Sequence, residues 1–569
     1  MNKNILSIIL IGVIYFTLTF SFSSHQVFFS GDNAAKFIQI QNLIKHHWEK
    51  LQIEYPGEYL DSDHKHFPLR FPPCYEKDKK FYLIFPIAFS FFSSFLYQTI
   101  GYFGLYILPL LSSVLTIFLI YQLFWSITKV NSFLIILVAG FCTPIFFYSS
   151  VFWEHSLAML LSFLAFYLFF KDKDQKISKL FISGLIFGIS LWFRLEIVFF
   201  FVATIVSYFL IDSSSYSKKL LNISIISLGL ILATSPLLCY NYTVFGNLAG
   251  AHASINYSLY ETKSVLYLVK SKISDLYHLL FDTGISRSIN LLFLFLAFLI
   301  LSFQIIPKLR RLNNIILMIL ILILFVSAYI ACLCGFSRII GLLVTSPFLI
   351  IIVLNIPTFL KKQSPDRLNL LFYTSLFYIF FLLTPPGFGD KQWGPRFLLP
   401  LYPLLIILSL STYYSLNNLN LKPTLTKITK KIFILLCLIS FLIQGIGIYK
   451  NFKEENIILK EIKSLKDLNS QIIITDVWWL PQECASIFYE KCFFWVRNEE
   501  SLHHLLRNLK KRGVESFTFS TFLAPTSKEN IARTISDHWY QIMTQYGYGR
   551  ERVIFTSQRF ENSLLVYKK

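Results

Sequence analysis

The chain has 569 residues, of which 55% are hydrophobic and only 15% charged. That is too little charge to clothe a soluble surface of this size, so the solvent for most of the polypeptide is a bilayer. The formal net charge of +20 would suit a nucleic-acid binder, but the basic residues fall in short clusters between apolar runs rather than along one polar face, which excludes that class and marks inner loops.

The first apolar run, 5–22, follows Lys3 and reads as a retained anchor, with a cleaved signal peptide ending near 21–24 as the alternative. Retention places the amino terminus inside and residues 24–103 outside. In that outer loop, Ser30, Gly31, Asp32 and Asn33 open a stretch with apolar residues at Phe37, Ile40, Ile44, Trp48 and Leu51, the spacing of an amphipathic helix lying in the membrane interface. Asp32 has two readings there. It is either the helix N-cap or a general base whose basicity is raised by partial desolvation. Asp61, Asp63, His64 and His66 are metal-ligand types, but no predicted element fixes their geometry, and a solvated loop is preferred to a metal site.

The apolar stretch 81–100 either spans or lies along the surface, and charge decides between the two. If it does not span, Lys129, the cluster Lys171 to Lys179, Lys218 and Lys219, Lys308 to Arg311, Lys361 to Arg367 and Lys422 to Lys431 all fall on the inner side; if it spans, all move outside. The stretch is therefore read as a juxtamembrane or re-entrant helix, helped by Pro68, Pro72, Pro73 and Pro86. Further spans are read at 104–126, 132–149, 155–170, 177–193, 197–212, 219–238, 289–306, 314–334, 339–358, 368–384, 397–415 and 432–449. With the first run this makes about 13 membrane helices.

Between these spans, polar residues collect on the outer side. Glu154 and His155 occupy a short turn after Trp153. A helix-dipole carboxylate and a locally bonded imidazole account for them, as does a polar contact that orients donor or acceptor near Asp32. Arg194 and Glu196 interrupt an apolar stretch, either as a self-contained interfacial pair or with Arg194 holding a phosphate by paired hydrogen bonds. The glycine-rich turn 387–396 brings backbone amides, Lys391 and Arg396 to the membrane surface. A lipid phosphate fits there, and so does a plain interhelical turn with a snorkelling arginine.

From about 450 the character changes. Residues 471–476 read as a strand, 498–511 as an amphipathic helix, 515–522 as a strand, 527–539 as a helix, and 552–556 and 564–567 as strands. Alternation of this kind indicates a small α/β domain. The eight cysteines show no zinc or redox spacing. Cys484 and Cys492, if outside the cytoplasm, are either a disulfide or two free thiols. The fold class is thus a polytopic α-helical membrane protein, with a transmembrane domain at 1–449 that includes the outer loop 24–103 and an extracytoplasmic α/β domain at 450–569.

Four segments, WEHSLA from Trp153, GISLWFRLE from Gly188, NYTVFG from Asn241 and WGPRFLLP from Trp393, resemble bacterial members of the GT-C superfamily of membrane glycosyltransferases. Protein mannosyltransferases and lipid A aminoarabinose transferases belong to it. An acid in the first outer loop, an amphipathic helix behind it and a terminal outer domain resemble the same group. The resemblance implies transfer of a sugar, with inversion, from a polyprenyl-phosphate donor to a glycan, lipid or protein acceptor on the outer side of the cytoplasmic membrane. It implies that Asp32, matching the family's first-loop carboxylate, deprotonates the acceptor hydroxyl. Glu154 and His155 would join Asp32 in catalysis, and Arg396, Lys391, Arg194, Glu196 and Lys36 would bind substrate. Asn33 stands where the protein mannosyltransferases have a second acid, which weighs against a protein acceptor. No cofactor is expected; family members differ in metal use, and a divalent metal is not part of the expectation. The main alternative is a flippase or transporter of a lipid-linked sugar, against which the two halves of the chain show no mirrored hydropathy. An O-antigen ligase would carry its long loop late in the spans, whereas here it comes first.

Overall fold

The structure, a computed structural model, describes residues 3–24, 26–70, 73–171, 176–258, 263–282, 341–361, 366–384, 391–418, 423–468, 470–523, 529–556 and 559–568. Two compact units emerge. One is formed by Met1–Ser21 and Tyr106–Lys450, the other by Phe22–Leu105 and Asn451–Lys569. The outer loop therefore groups with the carboxy-terminal residues, where the sequence reading assigned it to the membrane domain.

Five helices among the described residues are long and apolar enough to cross a membrane: Asn4–Phe22, Tyr102–Thr128, Tyr216–Phe245, Arg396–Asn418 and Pro423–Asp467. They make the chain a multi-pass membrane protein. Shorter apolar helices cover His155–Lys171, Ile177–Leu191, Ile197–Ile211 and Pro347–Leu360. The expected spans 289–306 and 314–334 lie outside the described residues. The stretch 132–149 is two helices, Phe133–Phe141 and Pro144–Tyr148, because Pro144 has no amide hydrogen to continue the ladder and forces the residue before it out of helical geometry. Thr143 is accordingly extended, at φ −134 and ψ 161. The helix Ala88–Ile100 has 13 residues. Its rise of about 20 Å falls short of a bilayer core of about 30 Å.

In the helical unit, Ile177–Leu191 packs on Tyr216–Phe245 through glycine. A Cβ on Gly184 would lie 2.0 Å from the Ile226 carbonyl oxygen, and one on Gly229 would lie 2.4 Å from that of Phe181. Only residues without a side chain let the backbones come this close, and in lipid such close packing replaces the hydrophobic drive that water supplies.

The second unit is a mixed α/β fold. A small hairpin pairs β1 (Cys74–Lys77) with β2 (Lys80–Leu83), and the main sheet contains β3 (Ile472–Thr475), β4 (Cys492–Trp495), β5 (Ser516–Phe522), β6 (Tyr548–Thr556) and β7 (Phe560–Tyr567). Its order is β4-β3-β5-β7-β6. β3 runs parallel to both β4 and β5, while β7 is antiparallel to β5 and β6. The all-buried β3 suits a central position flanked on both edges. Between β4 and β5 the helix Glu499–Lys511 follows its capping chemistry. Asn498 Oδ1 accepts from the Ser501 amide at 2.9 Å, acids open the first turn, lysines close the last, and Leu502, Leu505, Leu506 and Leu509 form the buried stripe.

Residues 22–105 belong to this unit through specific bonds. The Trp495 amide donates to the His66 carbonyl at 2.9 Å, the Tyr489 hydroxyl to Asn42 Oδ1 at 3.3 Å, and the Ser23 hydroxyl to Glu455 at 2.9 Å. Cys484 and Cys492, a possible disulfide on sequence grounds, are both free thiols. Cys492 lies in β4 and its Sγ donates to the Pro56 carbonyl at 3.5 Å, while Cys484 is buried after the helix Leu480–Glu483.

The glycine contact gives a direct test. Gly184→Ala and Gly229→Ala each drive a methyl into a backbone carbonyl and should destabilise the helical unit by about 1–3 kcal/mol, read as a lower unfolding temperature in detergent. Gly445→Ala, whose Cβ would meet nothing within 4 Å, should leave that temperature unchanged or raise it.

Candidate functional site

Three chain segments of the helical unit bring buried charge together. Glu154 immediately precedes the helix His155–Lys171, Arg194 lies in the turn after Ile177–Leu191, and Arg396 opens the 3-10 turn Arg396–Leu401. Arg194 Nη1 donates to Glu154 Oε1 at 3.0 Å, and its Nε and Nη2 donate to Glu196 Oε1. All three guanidinium nitrogens therefore face carboxylates. The Arg194–Glu196 pair, one of the two sequence readings, is present but is not self-contained: it extends to Glu154, whose exposure is only 1%.

Arg396, 7% exposed, is held by aromatic faces. Its guanidinium carbon lies 4.7 Å from the Trp153 ring centroid and 5.2 Å from that of Phe397; Arg194 approaches the same Phe397 ring at 5.3 Å. Cations over these rings gain from the ring quadrupole, the more so out of water. The backbone is pinned around them. The Tyr378 hydroxyl donates to the Phe397 carbonyl at 2.7 Å, the Arg396 amide to Gln392 Oε1 at 3.3 Å, and the Trp393 amide to the Tyr148 hydroxyl at 3.3 Å. Trp393 Nε1 donates to Gln444, which in turn donates to the Thr345 carbonyl at 2.8 Å. His155 packs its ring 4.7 Å from Trp153 and 5.9 Å from Tyr148. Lys391 is half-buried at the start of this described stretch, and residues 387–390 of the glycine-rich turn lie outside the described residues.

In the other unit, Asp32 lies in the first turn of the helix Gly31–Lys45. It is not the N-cap; that place belongs to Ser30, in extended geometry, whose hydroxyl donates to Asn33 Oδ1 at 2.7 Å. Lys36 is 1% exposed with its Nζ 4.6 Å from the Phe85 centroid. The helix is also not an interfacial one with a single covered face. Residues 33–40, Asn42 and Leu43 are all buried, so protein surrounds it. It stops at Lys45 rather than Leu51, because His47 and Trp48 take left-handed conformations at φ 51 and 62. In the loop carrying Asp61, Asp63, His64 and His66, the solvated reading holds for Asp63 but not for Asp61, His64 and His66, which are buried. Asp61 is wholly buried and closes the turn, accepting from the Tyr55 hydroxyl at 3.1 Å and the His66 amide at 2.7 Å. His64 meets Glu58 at 3.1 Å, and His66 meets His504 at 3.1 Å. Burial holds the His66 imidazole below its ordinary pKa.

No protein-family model and no curated protein matches the sequence. Among solved structures, ArnT from Cupriavidus metallidurans bound to undecaprenyl phosphate aligns over 99% of this chain and 98% of its own, with a TM-score of 0.51 at 8% identity. The chain has the fold of ArnT. ArnT in the apo state aligns over 91% of this chain and 94% of its own, with a TM-score of 0.48 at 9% identity. The likeness is one of fold, and it runs along nearly the whole chain.

Within this ArnT-like chain, Glu154, His155, Arg194, Glu196 and Arg396 share the helical unit, and Asp32 and Lys36 share a helix in the other. Sequence reasoning missed the aromatic cage of Trp153 and Phe397 and the anchoring roles of Tyr148, Tyr378 and Gln392. Trp153 and Phe397 stood beside residues already singled out, and their proximity to the two arginines was the available signal.

Removing Arg194 should expose the cost of the cluster. Arg194→Met leaves two carboxylates without their counter-charge and should cost about 3–5 kcal/mol, seen in thermal unfolding of the purified protein. The triple variant Arg194→Met, Glu154→Gln, Glu196→Gln should recover part of that loss. Equal stability of the single variant and wild type would contradict a coupled cluster.

Proposed function

We propose that the chain is an integral-membrane inverting glycosyltransferase that moves a sugar from a polyprenyl-phosphate donor to a cell-envelope glycan or lipid, on the outer side of the cytoplasmic membrane. The observation that carries this reading is the buried charge of the helical unit. Ionisable groups among membrane helices are costly and are retained for what they do. Arg194 commits its nitrogens to Glu154 and Glu196 and serves as a clamp. Arg396, caged by Trp153 and Phe397, offers a fixed cation in surroundings poor in water, where charge developing on a departing phosphate is stabilised most. The undecaprenyl phosphate bound to ArnT supports this class of donor.

The reaction follows from these roles. The acceptor hydroxyl oxygen bonds to the anomeric carbon, its proton passes to Asp32, and the carbon–oxygen bond to the lipid phosphate breaks with its electron pair leaving on the phosphate. Attack from the face opposite the leaving group inverts the anomeric centre. Lys391, near Arg396 in sequence, adds positive charge for the phosphate, and Lys36 lies one turn beyond Asp32 to hold substrate. Glu154 and His155 fix the clamp and the Trp153 wall of the cage.

Purified wild-type, Asp32→Asn and Arg396→Met proteins in lipid, given radiolabelled polyprenyl-phosphate sugars and an envelope-glycan extract, test the reading. Wild type should move label from lipid to glycan. Asp32→Asn should lose about 10²–10⁴-fold in rate while still retaining the lipid, and Arg396→Met should bind undecaprenyl phosphate about tenfold more weakly. Full transfer by folded Asp32→Asn would remove Asp32 from the mechanism. Label that crosses sealed vesicles without changing carrier would favour the flippase.

A further inference from the structure

Three features meet at the start of the helix Gly31–Lys45. The side chain of Gln482, from the helix Leu480–Glu483, lies directly against Gly31: a Cβ there would stand 2.0 Å from Gln482 Oε1 and 3.2 Å from its Cδ. Gln482 is 3% exposed, and its Nε2 has no hydrogen-bond acceptor. Asn33 is 0% exposed; its Oδ1 accepts from Ser30, and its Nδ2 likewise has no acceptor. Two buried amide donors without acceptors therefore stand on either side of Asp32 along this helix start.

Buried amide donors are nearly always paired, because an unmade bond forfeits hydration with nothing in exchange. Two such donors at one helix start point to an acceptor supplied from outside the chain. The positive end of the helix dipole lies there too, since the first intrahelical bond runs from the Ala34 amide to the Ser30 carbonyl at 3.1 Å. Asp32 between the two donors is partly exposed, which opens the place to a ligand. A phosphate would meet the negative charge of Asp32, and the two amide donors are neutral, which leaves Lys36 one turn further on to offset it. A sugar ring suits the set better, because its oxygens accept from amides while its hydroxyl protons donate to a carboxylate.

We infer that Gln482 and Asn33 bind a sugar of the acceptor glycan, with Gln482 orienting the hydroxyl whose proton Asp32 removes. This rests on the reading of Asp32 as the base. As that oxygen bonds to the anomeric carbon and the lipid phosphate departs, the Gln482 amide holds the oxygen in line and the proton ends on Asp32. Gln482 thereby makes the carboxy-terminal segment part of acceptor recognition.

The geometry supplies its own variant pair. Gly31→Ala pushes only the flexible end of Gln482 aside, so it removes the Gln482 contact without touching residue 482. In the full-length protein in lipid, Gln482→Ala and Gly31→Ala should each raise the half-saturating amount of an envelope-glycan extract about tenfold at an unchanged unfolding temperature. The double variant should be no worse than Gln482→Ala alone. Wild-type saturation in both single variants, or losses that add in the double, would overturn the inference. A second readout separates it from the transferase reading: hydrogen exchange of the segment 27–37 with the same extract and with methyl hexopyranosides. Exchange should slow in wild type and Asp32→Asn but not in Gln482→Ala. That pattern without any transfer by wild type would sustain the sugar site and sink the transferase. Transfer by wild type with no slowing of exchange would sink the sugar site alone.

Discussion

One guanidinium organises the helical unit. Arg194 sits where water is scarce, and each of its nitrogens meets a carboxylate, so the segments carrying Glu154 and Glu196 cannot shift without uncovering charge. The arrangement of the neighbouring residues follows from that constraint. Phe397 lies under Arg194 and also under Arg396, so the position of one cation helps define that of the other. The turn bearing Arg396 is fixed again from behind by Tyr378, Tyr148 and the Trp393–Gln444–Thr345 chain. A cation fixed in this way does not have to reorganise when a phosphate gains charge, which is the sense in which preorganisation lowers a barrier.

The second unit solves a different problem, that of holding a carboxylate on a short helix without leaving that helix free to move. Burial of residues 33–40 on all sides does what an amphipathic helix resting in the interface would not. It removes rotation about the helix axis. The left-handed turn at His47 and Trp48 ends the helix, and the Trp48 indole then donates to the Ser94 hydroxyl at 2.7 Å, tying the exit of the chain to the helix Ala88–Ile100.

Much of this was legible from residue order alone, and the part that was not has a common cause. Apolar length and charge clusters locate helices such as His155–Lys171 and Ile177–Leu191 within a few residues, because hydrophobicity is a local property. The helix Glu499–Lys511 and the strand β5 were readable from caps and period for the same reason. β4 was not, because Cys492–Trp495 is too short a run of apolar residues to be told from a buried turn. The Glu154–Arg194 contact joins residues 40 apart, and nothing local reports such a partner. Asp61 read as part of a solvated loop because its real partners, the Tyr55 hydroxyl and the His66 amide, close a turn that has no period. The N-cap fell to Ser30 rather than Asp32, a shift of two residues that local preference cannot resolve, since serine and aspartate cap almost equally well.

The second unit is discontinuous in the chain, and this has a consequence for how the protein is made. Residues 22–105 leave the ribosome first, yet their hydrogen-bond partners at Glu455, Tyr489 and Trp495 follow only after the whole of Tyr106–Lys450. At about 5–20 residues per second, that interval is roughly 20 to 70 s. Throughout it, the helix Gly31–Lys45 lacks Gln482, which lies against Gly31, and Tyr489, which bonds Asn42, and the surface they cover must be shielded by the membrane surface or by a chaperone. Completion of this unit is therefore among the last events in biogenesis, and a chain interrupted before its final strands would carry an unfinished first loop however well its helices had inserted.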